Sequence, residues 1–97
     1  MFDRLSNQQL ILDISVNLSR ISRFVYEGNM KRANLFWDQV KEVMIYLNLR
    51  KTSPKYYHTQ RRFERFVNSM GDLKQDKNLA EDILTWANIL HHRAELV

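Results

Sequence analysis

The sequence predicts an all-α protein, an antiparallel four-helix bundle built from two αα-hairpins. Four segments place apolar side chains at the spacing of one helical face, and the breaks between these segments are short. The 97 residues include only two glycines and one proline, whereas an all-β domain of this size needs more turn residues. We expect one helical domain over residues 1–97, with helices at about 6–27, 30–49, 54–70 and 78–95.

The first two helices are predicted to fold back on each other at Gly28 and Asn29. Glycine adopts the left-handed conformation that ends a helix with little strain, and asparagine is a favoured N-cap for the helix that follows. A two-residue break leaves the two helices adjacent and antiparallel. Their inner faces are expected to contain Leu10, Ile11, Ile14, Leu18, Ile21, Phe24 and Val25, and then Ala33, Phe36, Trp37, Val40, Val43, Met44 and Leu47.

The run from Gly28 to Ala33, followed by Trp37 and Val40, resembles the hairpin turn of a tetratricopeptide repeat. The likeness covers only about 15 residues, and it does not recur at the ~34-residue period of that family. We therefore interpret it as a general feature of helical hairpins. Two αα-hairpins stacked like a fragment of a helical solenoid are the alternative architecture.

Helix start and stop signals define a second hairpin. Ser53 is a good N-cap and Pro54 is favoured at the first helical position, so the third helix is expected to begin there. Gly71 ends it. Asn78, with a glutamate three residues later, fits a capping box for the fourth helix, and Asp76 is the competing cap. The inner faces are expected to contain Tyr56, Phe63, Phe66, Val67 and Met70, and then Leu79, Ile83, Trp86, Ala87, Leu90 and Ala94.

Several kinds of chemistry are absent from the sequence. Without cysteine, the chain offers no disulfide, no cysteine-based zinc site and no thiol nucleophile. His91 and Glu95 lie one helical turn apart, but one such pair is not a metal site, since zinc needs three or four ligands. We therefore predict no enzyme activity, no metal and no cofactor.

We also expect a cytoplasmic protein without a membrane span. The start of the chain has no apolar h-region followed by a small-residue cleavage site, so a signal peptide is not expected. No apolar run approaches the ~18 residues that a membrane-spanning helix needs. The absence of cysteine is compatible with a reducing compartment.

Apolar residues on the outer side of the first hairpin predict a protein contact. A helix that is apolar on two sides is usually buried on two sides, and a two-fold homodimer uses one such surface twice. Scattered exposed apolar side chains, which are normal on monomers, are the alternative interpretation. The predicted contact residues are Leu12, Val16, Tyr26, Leu35, Ile45, Tyr46 and Leu49.

A second candidate surface is basic and lies on and just before the third helix. Arginine donates to phosphates in a planar, bidentate manner, and tyrosine can stack on a base. Nucleic acid, an acidic protein partner and a solvated face are the three interpretations, and the net charge of +4 is modest. The candidate residues are Arg50, Lys51, Lys55, Tyr57, His58, Arg61, Arg62 and Arg65.

The sequence thus favours a non-enzymatic helical module or adaptor that binds protein, most simply a second copy of itself or a higher oligomer. The alternative is a small helical subunit that binds nucleic acid through the third helix.

Overall fold

A computed structural model describes residues 4–97 of the chain. It contains four α-helices, and no strand is present within these residues. The predicted fold class is confirmed, since the helices form an all-α, antiparallel bundle. None of these helices combines the length and the apolar character needed to cross a membrane. The helices are α1 (Asn7–Glu27), α2 (Met30–Asn48), α3 (Pro54–Met70) and α4 (Lys77–Arg93), and a short 3-10 turn (Ala94–Leu96) follows α4.

Both ends of α1 are set by local hydrogen bonds that follow from the sequence. At the start, the backbone N–H of Gln9 donates to the Ser6 hydroxyl at 3.1 Å, and the Ser6 N–H donates to the Gln9 side-chain oxygen at 2.8 Å. This reciprocal pair is a capping box. At the end, Gly28 has a φ of 81°, the left-handed conformation that glycine adopts without strain. Asn29 then caps α2 through the Arg32 N–H.

The second hairpin begins as predicted at Ser53, whose hydroxyl accepts from the Lys55 N–H at 3.2 Å. The start of α4 differs from the favoured prediction. Asp76, and not Asn78, is the N-cap, because its carboxylate accepts from the Asn78 backbone N–H at 2.8 Å. The helix consequently begins at Lys77, before the predicted position, and its regular α-helical part ends at Arg93.

The first helix lies at the centre of the bundle and packs against both α2 and α4. The side-chain hydroxyls of Ser15 and Ser22, one on each side of the middle of α1, donate to the backbone carbonyls of Ala87 and Ala80, each at 2.7 Å. These four residues are buried, and we call them the serine–alanine seam. Since neither alanine nor serine occupies much space, the backbones of α1 and α4 lie close along most of their length.

The third helix meets α4 in a different way, through aromatic rings. The ring of Trp86 lies 5.4 Å from that of Phe63 and 5.8 Å from that of Phe66, measured between centroids. We call these three residues the aromatic contact. Tyr56, at the start of α3, is also buried, and the loss of solvent raises the pKa of its phenol above the ordinary value. Large side chains therefore fill the space beneath α3.

At one end of the bundle, hydrogen bonds join three segments that are distant in sequence. The Asn7 side-chain amide donates to the carbonyl of Lys51 at 3.0 Å. The Ser53 hydroxyl donates to the carbonyl of Leu96 at 2.6 Å. Together with Arg50, described below, these residues are called the end cluster. It ties the start of α1, the loop between α2 and α3, and the turn after α4 to one another.

At the opposite end, the two hairpin turns approach each other. A Cβ atom on Gly28 would lie 2.6 Å from the side-chain amide nitrogen of Gln75, which belongs to the segment between α3 and α4. The ammonium group of Lys77 lies 5.3 Å from the centre of the Tyr26 ring. The turn of the first hairpin is thus covered by the connection of the second.

Candidate interaction surfaces

The structure separates the seven predicted protein-contact residues into three groups. Leu12 and Tyr46 are half-buried and pack against the core, so they contribute to the fold itself. The other five side chains are exposed, but they come from two different helical segments. The exposed residues are Val16 and Tyr26 on α1, Leu35 and Ile45 on α2, and Leu49 at the C-cap of α2.

Of the two exposed residues of α1, Tyr26 lies close to α4. Tyr26 lies beside Lys77 at the start of α4, where the ammonium group partly covers its ring. Leu84 of α4 is an exposed apolar residue that the sequence interpretation did not include. The seam register places it level with Leu18, two residues from Val16 along α1. These side chains are separated by polar residues and do not form a continuous stripe.

Exposed apolar residues on α2 form a more regular pattern. Leu35, Ile45 and Leu49 are 59%, 61% and 82% exposed, respectively. Leu35 and Leu49 are two heptads apart, and Ile45 falls at the intermediate position of the same seam. Asp38 and Glu42 occupy the remaining two positions of the seam. We call these five residues the α2 outer face.

The opposite side of α2 is buried in the core. Trp37, Val40 and Leu47 are buried there against the rest of the bundle. Of the two acidic residues on the outer face, Asp38 forms an ion pair with Lys41 at 3.5 Å, and both side chains are exposed. A surface ion pair of this kind contributes little to stability. The α2 outer face therefore combines three exposed apolar residues with two acidic ones, and its apolar side chains are not part of the core.

Arg50, the first of the predicted anion contacts, is used within the fold. Its guanidinium donates to the carbonyl of Leu5, to the side-chain oxygen of Asn7 at 3.3 Å and to the hydroxyl of Tyr46 at 3.3 Å. It also lies 4.9 Å from the centre of the Tyr46 ring. The half-buried residue thus joins the end of α2 to the start of α1, as part of the end cluster.

The remaining cations of α3 lie together on its solvent side. The inner face of the helix, which includes Tyr56, Phe63 and Val67, is buried. The residues on the opposite side are all exposed, and helical spacing places them in adjacent rows. We call them the α3 basic face: Lys55, His58, Arg61, Arg62 and Arg65. Lys51, in the loop before the helix, is exposed as well.

Tyr57 forms one edge of this basic face and is 52% exposed. The Arg61 guanidinium carbon lies 5.9 Å from the centre of its ring, and the His58 ring meets it edge to face at 6.1 Å. A guanidinium over a tyrosine ring is a cation–π contact, worth about 0.5–1 kcal/mol at an exposed site. The aromatic ring and the cations are consequently held in one surface.

No carboxylate neutralises the α3 basic face within residues 4–97. Glu64 is the only acidic residue of α3, and its carboxylate accepts a hydrogen bond from the Asn48 side chain of α2 at 2.8 Å. Asn48 in turn accepts from Gln60, so this polar cluster lies between α2 and α3. The acidic residue is thus directed away from the basic face, whose charges are left to interact with solvent or a ligand.

Among the described residues, no group of three or more His, Asp or Glu side chains is placed to hold a metal ion. His91 and His92, at the end of α4, contact each other edge to face at 5.8 Å. The indole N–H of Trp37 is buried and has no hydrogen-bond acceptor in this part of the chain. The indole ring lies in the apolar core, where it contributes to the packing of the helices.

Comparison with known protein families, with curated proteins and with solved structures gives no match to this chain. The two surfaces described above are therefore the features of the molecule that bear on its function.

Proposed function

We propose that the protein is a non-enzymatic interaction module that forms a homodimer through the α2 outer face. One observation carries the proposal: a helix whose inner side is buried also exposes Leu35, Ile45 and Leu49 in a single heptad seam. Exposed apolar residues in register are typical of a helix that packs on two sides. The cysteine-free chain is compatible with the reducing cytoplasm, where we place this association.

The charges on α2 favour one register for the dimer. An antiparallel two-fold pairing centred on Ile45 brings this residue against itself, and it brings Leu49 against the aliphatic stem of Lys41 from the second copy. A pairing centred on Glu42 would instead oppose two carboxylates, which is unfavourable. The dimer axis is therefore expected to pass near Ile45.

The size of the apolar seam sets the expected strength of the dimer. Full burial of a leucine or isoleucine side chain is worth about 1.5–3 kcal/mol, and in this register each copy buries two such residues, Ile45 and Leu49, because Leu35 lies beyond the end of the partner's α2. Association costs about 4–15 kcal/mol in lost freedom of motion. Because gain and cost are of the same order, we expect a weak dimer whose population depends on concentration.

Sedimentation equilibrium over a range of protein concentrations tests the proposal. The wild-type protein should show a concentration-dependent dimer, and Ile45→Glu should remain monomeric because it places a charge in the seam. Leu84→Glu introduces the same charge at an exposed position of α4, outside the α2 outer face, and should dimerise like wild type. A wild-type protein that stays monomeric, or equal loss in both variants, would contradict the proposal. Circular dichroism checks that each variant is folded.

A disulfide experiment tests the register. Since the chain has no cysteine, Ile45→Cys introduces a single thiol that lies next to its copy only if the two-fold axis passes there. A disulfide requires Cα atoms about 4.4–6.8 Å apart. Under mild oxidation, Ile45→Cys should form covalent dimers much faster than Leu35→Cys, whose thiol lies far from its copy in this register. Equal rates for the two variants would rule out the pairing centred on Ile45.

A further inference from the structure

The α3 basic face has no role in the proposed dimer, and its chemistry is that of an anion-binding surface. We propose that it binds single-stranded nucleic acid, with the cations contacting the phosphate backbone and Tyr57 stacking on an unpaired base. The site consists of Lys55, His58, Arg61, Arg62 and Arg65 with Tyr57 at its edge.

The arrangement of these cations suits an extended polyanion. Lys55 and Arg65 mark the two ends of the face, about 15 Å apart along the axis at a rise of ~1.5 Å per residue. That length is sufficient to contact more than one phosphate of a strand that runs along the helix. Three of the five residues are arginines, whose planar guanidinium groups bind phosphate oxygens in a bidentate manner.

The charges on this face are available to a ligand. Within residues 4–97, the ion pair that the structure contains is Asp38 with Lys41 on α2, away from α3. Glu64, the only carboxylate of α3, is bound to Asn48 on the side towards α2. A phosphate that approaches the basic face therefore competes with solvent and counterions, and it does not have to displace a bound carboxylate.

The apolar residues of α3 distinguish a nucleic acid from a membrane surface. A helix that binds a membrane inserts exposed apolar side chains beside its cations. On α3 the large apolar side chains face the core or are half-buried, and Tyr57 is the one large exposed aromatic residue on this helix. Cations beside an exposed aromatic ring are instead features of surfaces that bind single strands.

The same ring favours a single strand over a duplex. In a duplex the bases are stacked on one another, whereas an unpaired base can leave the strand and lie on an aromatic side chain. An acidic protein offers negative charge but no planar base for Tyr57. The combination of cations and exposed ring thus favours single-stranded RNA or DNA.

Fluorescence anisotropy with a labelled oligouridylate of about twelve nucleotides tests the inference, since single-strand sites span about 4–16 nucleotides. The full-length protein should bind at about 50 mM salt, and the logarithm of the affinity should fall linearly with the logarithm of salt concentration, with a slope of about −0.7 per phosphate contact. Five contacts would give a slope near −3.5, by the same relation.

Two matched double variants locate the site. Arg61→Ala/Arg65→Ala removes two cations from the basic face, and it should lower the affinity at least tenfold and make the slope shallower by about 1.4. Lys31→Ala/Arg32→Ala removes the same charge from exposed positions at the start of α2 and should change the affinity less than twofold. Equal losses for the two variants would show that only net charge matters, and would overturn the assignment.

Tyr57→Leu separates stacking from charge. Stacking of a base on an aromatic ring strengthens binding by a factor of about 5 or more, so this variant should bind at least fivefold more weakly with an unchanged salt slope. An unchanged affinity would remove Tyr57 from the site. Tighter binding of a duplex of the same length would contradict the preference for single strands.

Polyglutamate serves as the competitor that represents an acidic protein. At an equal concentration of negative charge, it should displace the oligonucleotide poorly, because it lacks planar bases and phosphate oxygens. Complete displacement would overturn the inference in favour of an acidic protein partner. Failure of the wild-type protein to bind the oligonucleotide at low salt would overturn it as well. Neither result bears on the dimer, which depends on Ile45 and is measured without nucleic acid.

Discussion

The fourth helix has two neighbours, and it meets each of them in a different way. Towards α1 it presents Ala80 and Ala87, whose carbonyls accept hydrogen bonds from two serine hydroxyls. Towards α3 it presents Trp86, whose ring centroid lies 5.4 Å from that of Phe63 and 5.8 Å from that of Phe66. One interface brings backbones together, and the other keeps them apart with large side chains.

This difference indicates how the bundle is held together. The serine–alanine seam joins α1 to α4 at close range, and α1 also packs on α2, so these three helices form the central unit. The third helix is attached at its inner face by aromatic rings and at its edge by the hydrogen bonds of Gln60 and Glu64 with Asn48 of α2. We therefore expect the aromatic contact to control whether α3 is docked, and the seam to control the stability of the whole protein.

The largest effect is expected from Phe63→Ala. Removing a buried phenylalanine costs about 3–5 kcal/mol, through lost burial and the cavity that remains. Because Phe63 joins α3 to α4, amide hydrogen exchange followed by mass spectrometry should show a greater loss of protection in α3 than in α1. The free energy of unfolding is measured by urea denaturation.

Phe66→Leu is the matched control for this change, since Phe66 touches the same tryptophan but is only half-buried. It should cost less than about 1.5 kcal/mol, as substitutions between apolar residues of similar volume usually do. If Phe63→Ala reduced protection equally in α1 and α3, the two interfaces would not differ in the way described.

An intermediate effect is expected from Ala87→Leu. The side chain of Ala87 lies in the seam, where α1 and α4 are close, so a larger residue must push the helices apart. Overpacking of this kind typically costs about 1–3 kcal/mol. Asn88→Leu adds a similar apolar side chain at the neighbouring exposed position and should be nearly neutral in urea denaturation. A tolerated leucine at position 87 would show that the seam is not tightly packed.

The smallest effect is expected from Ser15→Ala. The substitution removes the hydroxyl that donates to Ala87, and a hydrogen bond of this type contributes about 0.5–1.5 kcal/mol. Ser19→Ala is the control, because the Ser19 hydroxyl bonds at 3.3 Å to a carbonyl of its own helix and is exposed. Thermal denaturation should show a lower Tm for Ser15→Ala than for Ser19→Ala. The reverse order would contradict the role assigned to the seam.

The helices were predictable because their limits depend on local residues. Gly28, Pro54 and Gly71 mark helix ends in the sequence, and the structure has helix ends at each of them. The start of α4 was less certain since Asp76 and Asn78 are both good caps, and the choice depends on which residue takes the extended conformation. Asp76 does so, with a φ of −145°.

The seam was not predictable from apolar periodicity. Ser15 and Ser22 count as polar in any such pattern, yet both are buried because the carbonyls of α4 supply acceptors. Asn17 is buried for a similar local reason, since its amide donates to Asp13 at 3.4 Å. The available signal was the spacing of seven residues between Ser15 and Ser22, matched by Ala80 and Ala87.

The candidate surfaces were predictable in part. Leu35, Ile45 and Leu49 are exposed as the helical pattern indicates, although their binding role stays a prediction. Tyr46 was predicted as a contact residue on the same side, but it packs against the core and contacts Arg50. Sequence patterns within one helix do not show such contacts, because they depend on how the start of α1 meets the end of α2. The use of Arg50 inside the fold was missed for the same reason.

The repeating seam between α1 and α4 has a consequence for the uniqueness of the fold. Ala80, Ala87 and Ala94 are spaced by seven residues, so sliding α4 by one heptad, about 10.5 Å, would still offer each serine a carbonyl beside a small residue. The seam alone therefore permits two registers of similar quality. The end cluster distinguishes them, since Ser53 can reach the carbonyl of Leu96 in only one. A few bonds at the periphery thus select the native alignment, while the interior supplies most of its stability.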